Sequence, residues 1–187
     1  MRLRIVAGSL GGRFIEVPRG GRTRPTAERV REAWMSAIGD RLVGVEVADL
    51  FAGSGALGIE ALSRGAARAH FVESNRAAAA TLRRNVAAMG LEDRAIVVQS
   101  DVFRYLSSRS AGTRWDIALA DPPYAGGLAA RLAADFLVDT FARELWIEHG
   151  PDAGVPGERA TWTRRYGDSV ISRLAADDAP RTRGGSE

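Results

Sequence analysis

The sequence predicts an α/β fold: a Rossmann-like, mostly parallel sheet closed by an antiparallel hairpin and preceded by a small N-terminal β-hairpin. Three observations lead to it. An apolar strand runs through a glycine turn straight into a helix at Val47-Ala-Asp-Leu-Phe-Ala-Gly-Ser-Gly-Ala-Leu-Gly-Ile-Glu-Ala-Leu62. From residue 45 onward short apolar runs alternate with helical patterns, and alternating β and α units build a parallel sheet covered on both faces. Both ends of the chain carry paired strand-like runs split by glycine-containing turns, the mark of a hairpin. At 187 residues there is room for one full hydrophobic core and a small appendage.

In chain order, Arg2-Leu-Arg-Ile-Val-Ala7 and Arg13-Phe-Ile-Glu-Val17 alternate on either side of Gly8-Ser-Leu-Gly-Gly12 and form the first hairpin. Arg19-Gly-Gly-Arg-Thr-Arg-Pro25 is a turn-rich basic connector. Thr26 caps a helix in which Glu28 faces the positive end of the dipole and Val30, Ala33, Trp34, Ala37 and Ile38 make one apolar stripe. Beyond the central strand–turn–helix, residues 69–73 form a second strand. Residues 77–89 form a helix with Leu82, Val86 and Met89 on one side, stopped by Gly90. Residues 95–99 and 115–120 are the third and fourth strands, residues 128–137 suit a helix, and residues 144–148 suit a fifth strand. Residues 160–165 and 169–174 close the sheet as a hairpin around Tyr166-Gly-Asp. The chain thus divides into a basic hairpin and connector (1–25), a main domain (26–175) and a disordered tail (176–187).

Gly53, Gly55 and Gly58 spell G-x-G-x-x-G, which serves a sharp turn, a close approach of backbone to ligand, and a helix packed tightly on its strand. The helix N-terminus then points free N–H groups at whatever occupies the turn. An ordinary strand–turn–helix is the competing reading. Glu73 ends the next strand about 20 residues on, where a ribose diol would be held, and this suits a dinucleotide or another adenosine ligand alike. Asp49 separates the two. A carboxylate just before the turn repels a pyrophosphate and suits a ligand carrying an ammonium or sulfonium group, which selects S-adenosylmethionine.

Asp121-Pro-Pro-Tyr124 is the second chemical centre. Ligands of open α/β sheets gather at the carboxyl ends of the strands, so Asp49, Glu73, Asp101 and Asp121 should share one rim. Consecutive prolines fix the backbone and withhold N–H groups, leaving the Asp121 carboxylate and the Pro122 carbonyl as acceptors and Tyr124 as a stacking surface. That set suits an exocyclic base amine. A rigid turn after a strand is the bland alternative.

Composition narrows the chemistry. Cysteine is absent, which excludes disulfides, Cys-ligated zinc, iron–sulfur clusters and a thiol nucleophile; a methyl acceptor would then be an already nucleophilic nitrogen or oxygen, not a pyrimidine carbon. His70 and His149 are too few and too far apart for a metal site, read as structural, and no metal is expected. No apolar run reaches membrane-spanning length and the first residues lack a signal-peptide core, so a cytoplasmic location is expected. All 26 basic residues are arginine, and in the first 31 residues eight of them face only Glu16 and Glu28. Since the whole chain is only +3, the basic charge is an N-terminal feature that suits a polyanion.

Taken together, Asp49-Leu-Phe-Ala-Gly-Ser-Gly55 and Asp121-Pro-Pro-Tyr124 resemble the class I S-adenosylmethionine-dependent amino-methyltransferases. With the N-terminal hairpin, Gly12-Arg13, Arg24-Pro-Thr-Ala-Glu-Arg-Val-Arg-Glu-Ala33 and the run from Asp49 to Ala66, the chain resembles the RsmD family, which methylates N2 of one guanine in 16S ribosomal RNA. The resemblance implies a class I methyltransferase sheet and covers most of the chain. It implies that Thr26 and Arg29 help hold the methionine end of the cofactor, that Phe51, Gly53 and Gly55 line its turn, that Glu73 takes the ribose hydroxyls, and that Asp101 with Val102 frames the adenine. Asp121, Pro122 and Tyr124 would receive the target base. Arginine stands wherever the family uses lysine or arginine, which preserves phosphate contact.

Arg4, Arg13, Arg22 and Arg24 are the candidate RNA-binding residues, and the expected partner of this monomer is 16S ribosomal RNA, free or in the assembling small subunit. Two rivals remain: an amino-methyltransferase for adenine N6 of DNA or RNA or a glutamine amide, and a noncatalytic RNA-binding module on the same fold. A separate target-recognition region, usual for DNA enzymes, barely fits in this length, and intact Asp49, Glu73 and Asp121 argue against a noncatalytic module.

Overall fold

The computed structural model describes residues 1–18, 25–110 and 114–176, with the backbone alone for residues 25–28 and for Glu158. Two short antiparallel strands, β1 (Arg2–Arg4) and β2 (Phe14–Glu16), precede helix α1 (Pro25–Ile38). Then follow β3 (Glu46–Leu50), α2 (Ala56–Ser63), β4 (Arg68–Glu73), α3 (Arg76–Met89), β5 (Ala95–Gln99), α4 (Val102–Ser107), β6 (Trp115–Ala120), α5 (Leu128–Val138), β7 (Ala142–His149), β8 (Ala160–Tyr166) and β9 (Ser169–Ala175). The seven-stranded sheet has the order β5-β4-β3-β6-β7-β9-β8, parallel from β5 to β7 and antiparallel through β9 and β8. This is the expected fold class. The order reverses between β3 and β6, the switch point at which an open α/β sheet leaves a crevice beyond its carboxyl ends.

The strands bury alternate residues on opposite faces. Val47 of β3, Phe71 of β4, Leu119 of β6 and Trp146 of β7 pack with α1, α2 and α3. Ala48 and Leu50 of β3, Val72 of β4 and Ile147 of β7 pack with α4 and α5. A period of two with both sides apolar is what a sheet covered on both faces requires.

Most boundaries fall within a residue or two of the sequence reading, and the differences have local causes. Helix α1 begins with Pro25 at its first turn, where the missing N–H costs nothing, so Thr26 lies inside the helix and is not its cap. The Val30, Trp34 and Ile38 stripe is buried as expected, joined by Met35. Helix α4 was not foreseen; Asp101 caps it by accepting the Arg104 N–H at 3.0 Å. Of the tail expected to be disordered (176–187), all but Ala176 lies outside the described residues; Ala176 is buried and donates its N–H to the Arg143 carbonyl. Among the described residues no helix is long and apolar enough to cross a membrane.

The first hairpin departs most. Its strands hold three residues each because the backbone of Val6 and Ala7 turns away from the partner strand and donates to the Glu60 carboxylate of α2, at 2.8 and 3.0 Å. Ser9 N–H donates to the Ser63 carbonyl at 2.8 Å, and Leu10 N–H donates to Ser63 Oγ at 2.9 Å. Ile5 and Ile15 are buried in the core beneath α1. Glu60 is fully buried, satisfied by those two N–H groups and by Arg64 Nε at 3.0 Å.

Glu60→Ala should therefore leave two backbone donors without their acceptor and cost about 2–4 kcal/mol of unfolding free energy, with new protease cleavage between residues 6 and 12. Urea unfolding and limited proteolysis measure both. An unchanged midpoint would mean that the hairpin is not held by this carboxylate.

Candidate active site

The crevice beyond β3 and β6 is built around a helix that lacks its own cap. Gly55, at the N-cap of α2, has no side chain to offer the first-turn N–H groups. Asp49 supplies the acceptor from the strand below: its Oδ2 takes the Gly58 N–H at 2.8 Å. The side chain is 1% exposed, and burial drives the carboxyl from 3.8 to about 7, opposed by the Gly58 hydrogen bond and reinforced by the negative charge of Glu73. The residue read as a cofactor ligand thus also ties sheet to helix.

The turn between them is strained and tight. Phe51 has φ +64°, a left-handed conformation that is costly for an aromatic residue, and its half-buried ring meets Phe103 edge to face at 6.3 Å. At Gly53, φ +56°, a Cβ would meet nothing within 4 Å, so the missing side chain leaves open space at the mouth of the crevice. Gly55 differs from the expected close approach to a ligand: a Cβ there would stand 2.3 Å from Leu82 and 3.4 Å from Phe71, so the glycine serves the turn, at φ +84°, and the packing of α3. Gly58 fulfils its packing role, since a Cβ would stand 2.3 Å from the Phe71 ring of β4. Glu73 reaches back over the turn. Its Oε2 accepts the Gly53 N–H at 2.8 Å and its Oε1 the Asn75 N–H at 2.6 Å.

Asp101 is exposed on the same rim, while Val102, the first residue of α4, buries its side chain in the core. Arg29 is exposed on α1; the side chain of Thr26 lies outside what is described. Arg22 and Arg24 also lie outside the described residues. Arg4 and Arg13 are exposed on the hairpin, and Arg13 donates to the Ala88 carbonyl at the end of α3 at 2.6 Å.

After β6, Asp121 opens the second half of the crevice. The residue is partly open to solvent but crowded by protein; this crowding, with the charges of Glu148 and Asp49, raises its carboxyl, tempered by the water that still reaches it. Pro122 is buried and fixes the turn. Tyr124 projects outward, 56% exposed, with its hydroxyl donating to Glu148 Oε1 at 3.0 Å and lying 2.7 Å from Ser169 Oγ. A groove beside this turn is lined by Pro122, Tyr124, Leu128, His149 and Asp152. His149 Nδ1 donates to the Gly150 carbonyl at 2.8 Å, which leaves Nε2 to accept from Ser172 Oγ at 2.9 Å, a structural histidine as the sequence suggested.

Glu148 escaped the sequence reading, although it stands near the carboxyl end of the fifth parallel strand, by the same rule that selected Asp121. Asp49, Glu73, Asp121 and Glu148 form a chain of carboxylates linked by mutual repulsion, and among the described residues no arginine lies within salt-bridge distance of any of them. Nor does any group of three or more described acidic or histidine side chains converge as a metal site would require. Negative charge that no described arginine pairs, around an open glycine cradle, suits an extended organic cation with hydrogen-bonding hydroxyls.

Known proteins agree with this architecture. The family described as conserved hypothetical protein 95 matches residues 3–156. The ribosomal RNA small subunit methyltransferase D of Escherichia coli (strain K12) is 36% identical over 166 residues, covering 87% of this chain and 82% of its own. The solved structure of yhhF from Escherichia coli superposes with a TM-score of 0.80 at 31% identity, covering 94% of this chain and 100% of that one. The 16S rRNA N2 methyltransferase RsmC of T. thermophilus, solved with AdoMet and guanosine, superposes with a TM-score of 0.68 at 22% identity, covering 94% of this chain and 49% of that one. At that identity the likeness to RsmC carries the fold.

The Asp49 carboxyl has a stability consequence of definite sign. Because its folded value is raised from 3.8 to about 7, its contribution is fully present below about pH 4 and is lost as the pH rises through 7, a change on the order of 4 kcal/mol. Asp49→Asn keeps an acceptor for the Gly58 N–H and cannot ionise. It should flatten the fall in unfolding free energy between pH 4 and 7 measured in urea; an identical slope in wild type and variant would assign the titration to other groups.

Proposed function

The chain belongs to the RsmD family, described as conserved hypothetical protein 95, and on that premise we propose that it transfers a methyl group from S-adenosylmethionine to the exocyclic N2 amine of a guanine in 16S ribosomal RNA. The observation that carries this reading is the row of carboxylates, Asp49, Glu73 and Asp121, unpaired with any described arginine, around the open cradle at Gly53. Glu73, which still has acceptor capacity beyond its two backbone bonds, would hold the ribose hydroxyls. Asp49 would face the positive charge of the methionine end, with Thr26 and Arg29 of α1 nearby in the family pattern. Phe51, Gly53 and Gly55 would shape the turn under the cofactor, and Asp101 with the Val102 backbone would border the adenine. When bound, the cofactor supplies an electrophilic methyl group on a positively charged sulfur.

The remaining work falls to the turn after β6. The lone pair of guanine N2 is delocalised into the ring and is a poor nucleophile. Acceptance of its hydrogens by the Asp121 carboxylate and the Pro122 carbonyl favours a pyramidal nitrogen and frees the lone pair. Asp121 also stands ready to take the proton that N2 must lose, since its raised carboxyl is a better base than an ordinary aspartate. Asp121 would be held in its ionised form by a positive charge seated among these carboxylates, since that charge would offset the repulsion that raises it. Tyr124 offers its exposed ring to a base drawn out of the RNA stack. The basic hairpin meets phosphates at a distance from this chemistry. A monomer acting in the cytoplasm on ribosomal RNA completes the proposal.

Asp121→Ala should lose on the order of 10²-fold or more in single-turnover rate while still binding S-adenosylmethionine, as expected for loss of one preorganised transition-state partner. Asp121→Asn should fall between the two, because it keeps an acceptor and loses the charge. Mass spectrometry of the RNA product identifies the atom methylated; adenine N6 as product, or wild-type guanine methylation by Asp121→Ala, would overturn the assignment.

Replacing Arg4, Arg13, Arg22 and Arg24 together by alanine should weaken RNA binding and flatten the dependence of log affinity on log salt by roughly 0.7–0.9 for each phosphate contact removed, with cofactor affinity unchanged. An unaltered salt slope would make the basic end a solvated surface.

A further inference from the structure

Tyr124 is an exposed residue with a tethered tip. Its ring projects from the turn after β6, yet its hydroxyl sits between Glu148 of β7 and Ser169 of β9, at 3.0 and 2.7 Å. The hydroxyl proton goes to Glu148, so Ser169 donates into the tyrosine oxygen, which uses the phenol's donor and one acceptor position. A ring held at the Cα by two prolines and at the hydroxyl by two neighbouring strands has little freedom left to lose. Glu148 and Ser169 come from adjacent antiparallel strands, so a strand beyond the parallel part of the sheet reaches into the crevice.

We propose that Glu148 and Ser169 are positioning residues for the target base, clamping the Tyr124 hydroxyl between β7 and β9 so that its ring stands fixed beside Asp121. This deepens the reading above and rests on its assignment of Asp121 and Tyr124. A preset stacking surface spares the ordering of the ring at the moment of binding, which is the general source of gain from preorganisation. A neutral acceptor would hold the hydroxyl as well as a glutamate does, so the charge of Glu148 has a second effect. Among the described residues the groups facing Asp121 are Asp49 from β3, Glu148 from β7 and Tyr124 of its own turn, while Glu73 of β4 acts on Asp49. All are negative or neutral. The Glu148 charge therefore makes the Asp121 carboxyl hold its proton more tightly, and its removal lets Asp121 ionise at lower pH.

Four variants, Glu148→Ala, Glu148→Gln, Ser169→Ala and Tyr124→Phe, separate clamp from charge in steady-state methylation of 16S rRNA within small subunits. Glu148→Ala, Ser169→Ala and Tyr124→Phe should each raise KM for RNA about tenfold and leave cofactor affinity unchanged, since a loosened ring forfeits part of a base stack. Glu148→Gln should restore KM, because it still accepts from Tyr124, but move the acidic limb of the kcat profile down by about one pH unit. Wild-type KM together with an unshifted limb in Glu148→Ala would overturn the proposal, as would a raised KM in Glu148→Ala that Glu148→Gln does not restore. NMR relaxation of the Tyr124 ring, one of three tyrosines, reads the clamp without turnover. Unchanged ring order in Glu148→Ala refutes the clamp even where the guanine assignment holds, whereas a wild-type protein that leaves guanine N2 unmethylated with a rigid ring sinks the guanine assignment alone.

Discussion

The bond from the Gly58 N–H to Asp49 Oδ2 is the constraint on which the site depends. A helix that starts on glycine must find its N-terminal acceptor elsewhere, and here it comes from the strand that the helix covers. One carboxylate then fixes how α2 sits on β3, and with it the position of the turn between them. Burial makes that arrangement costly at neutral pH, because an ionised carboxylate is held away from water beside Glu73 and Asp121. Such stored repulsion is relieved by a bound cation, so structure and ligand preference arise from the same group.

Helix α2 faces two ways. At its start it receives Asp49; further along, Glu60 and Ser63 point to the other side and hold the N-terminal loop. Asn85 of α3 closes the connection. Its side chain accepts the Glu16 N–H and donates to the carbonyls of Glu16 and of Ser54 within the glycine turn. The basic hairpin is therefore joined to the cradle through buried, satisfied polar groups, which fix geometry more strictly than apolar contact does.

Charge is sorted across the molecule. Arg2, Arg4 and Arg13 of the hairpin and Arg29 of α1 stand exposed, whereas Arg31 of α1 is buried and donates to the Arg4 carbonyl at 2.8 Å; the crevice at the switch point gathers carboxylates that no described arginine neutralises. On the proposed reading a polyanion would be drawn to one region and a small cation to another, and the Asp121 turn is where an uncharged amine would meet acceptors away from the phosphate-binding charge.

The sequence by itself determined the alternation of strands and helices, the glycine turn and the placement of Asp49, Glu73, Asp101 and Asp121 at strand ends, because each depends on near neighbours along the chain: periodicity, turn chemistry and the direction of parallel strands. Tertiary structure alone decided what those residues touch. Gly55 reads as a ligand contact until Leu82, 27 positions later, fills the space where its Cβ would lie. Glu60 reads as one more polar residue on a helix until the backbone of Val6 and Ala7 arrives across 54 and 53 positions. Glu148 and Ser169 meet Tyr124 only because β9 inserts between β7 and β8, and sheet order is set by the packing of whole elements, not by any local pattern.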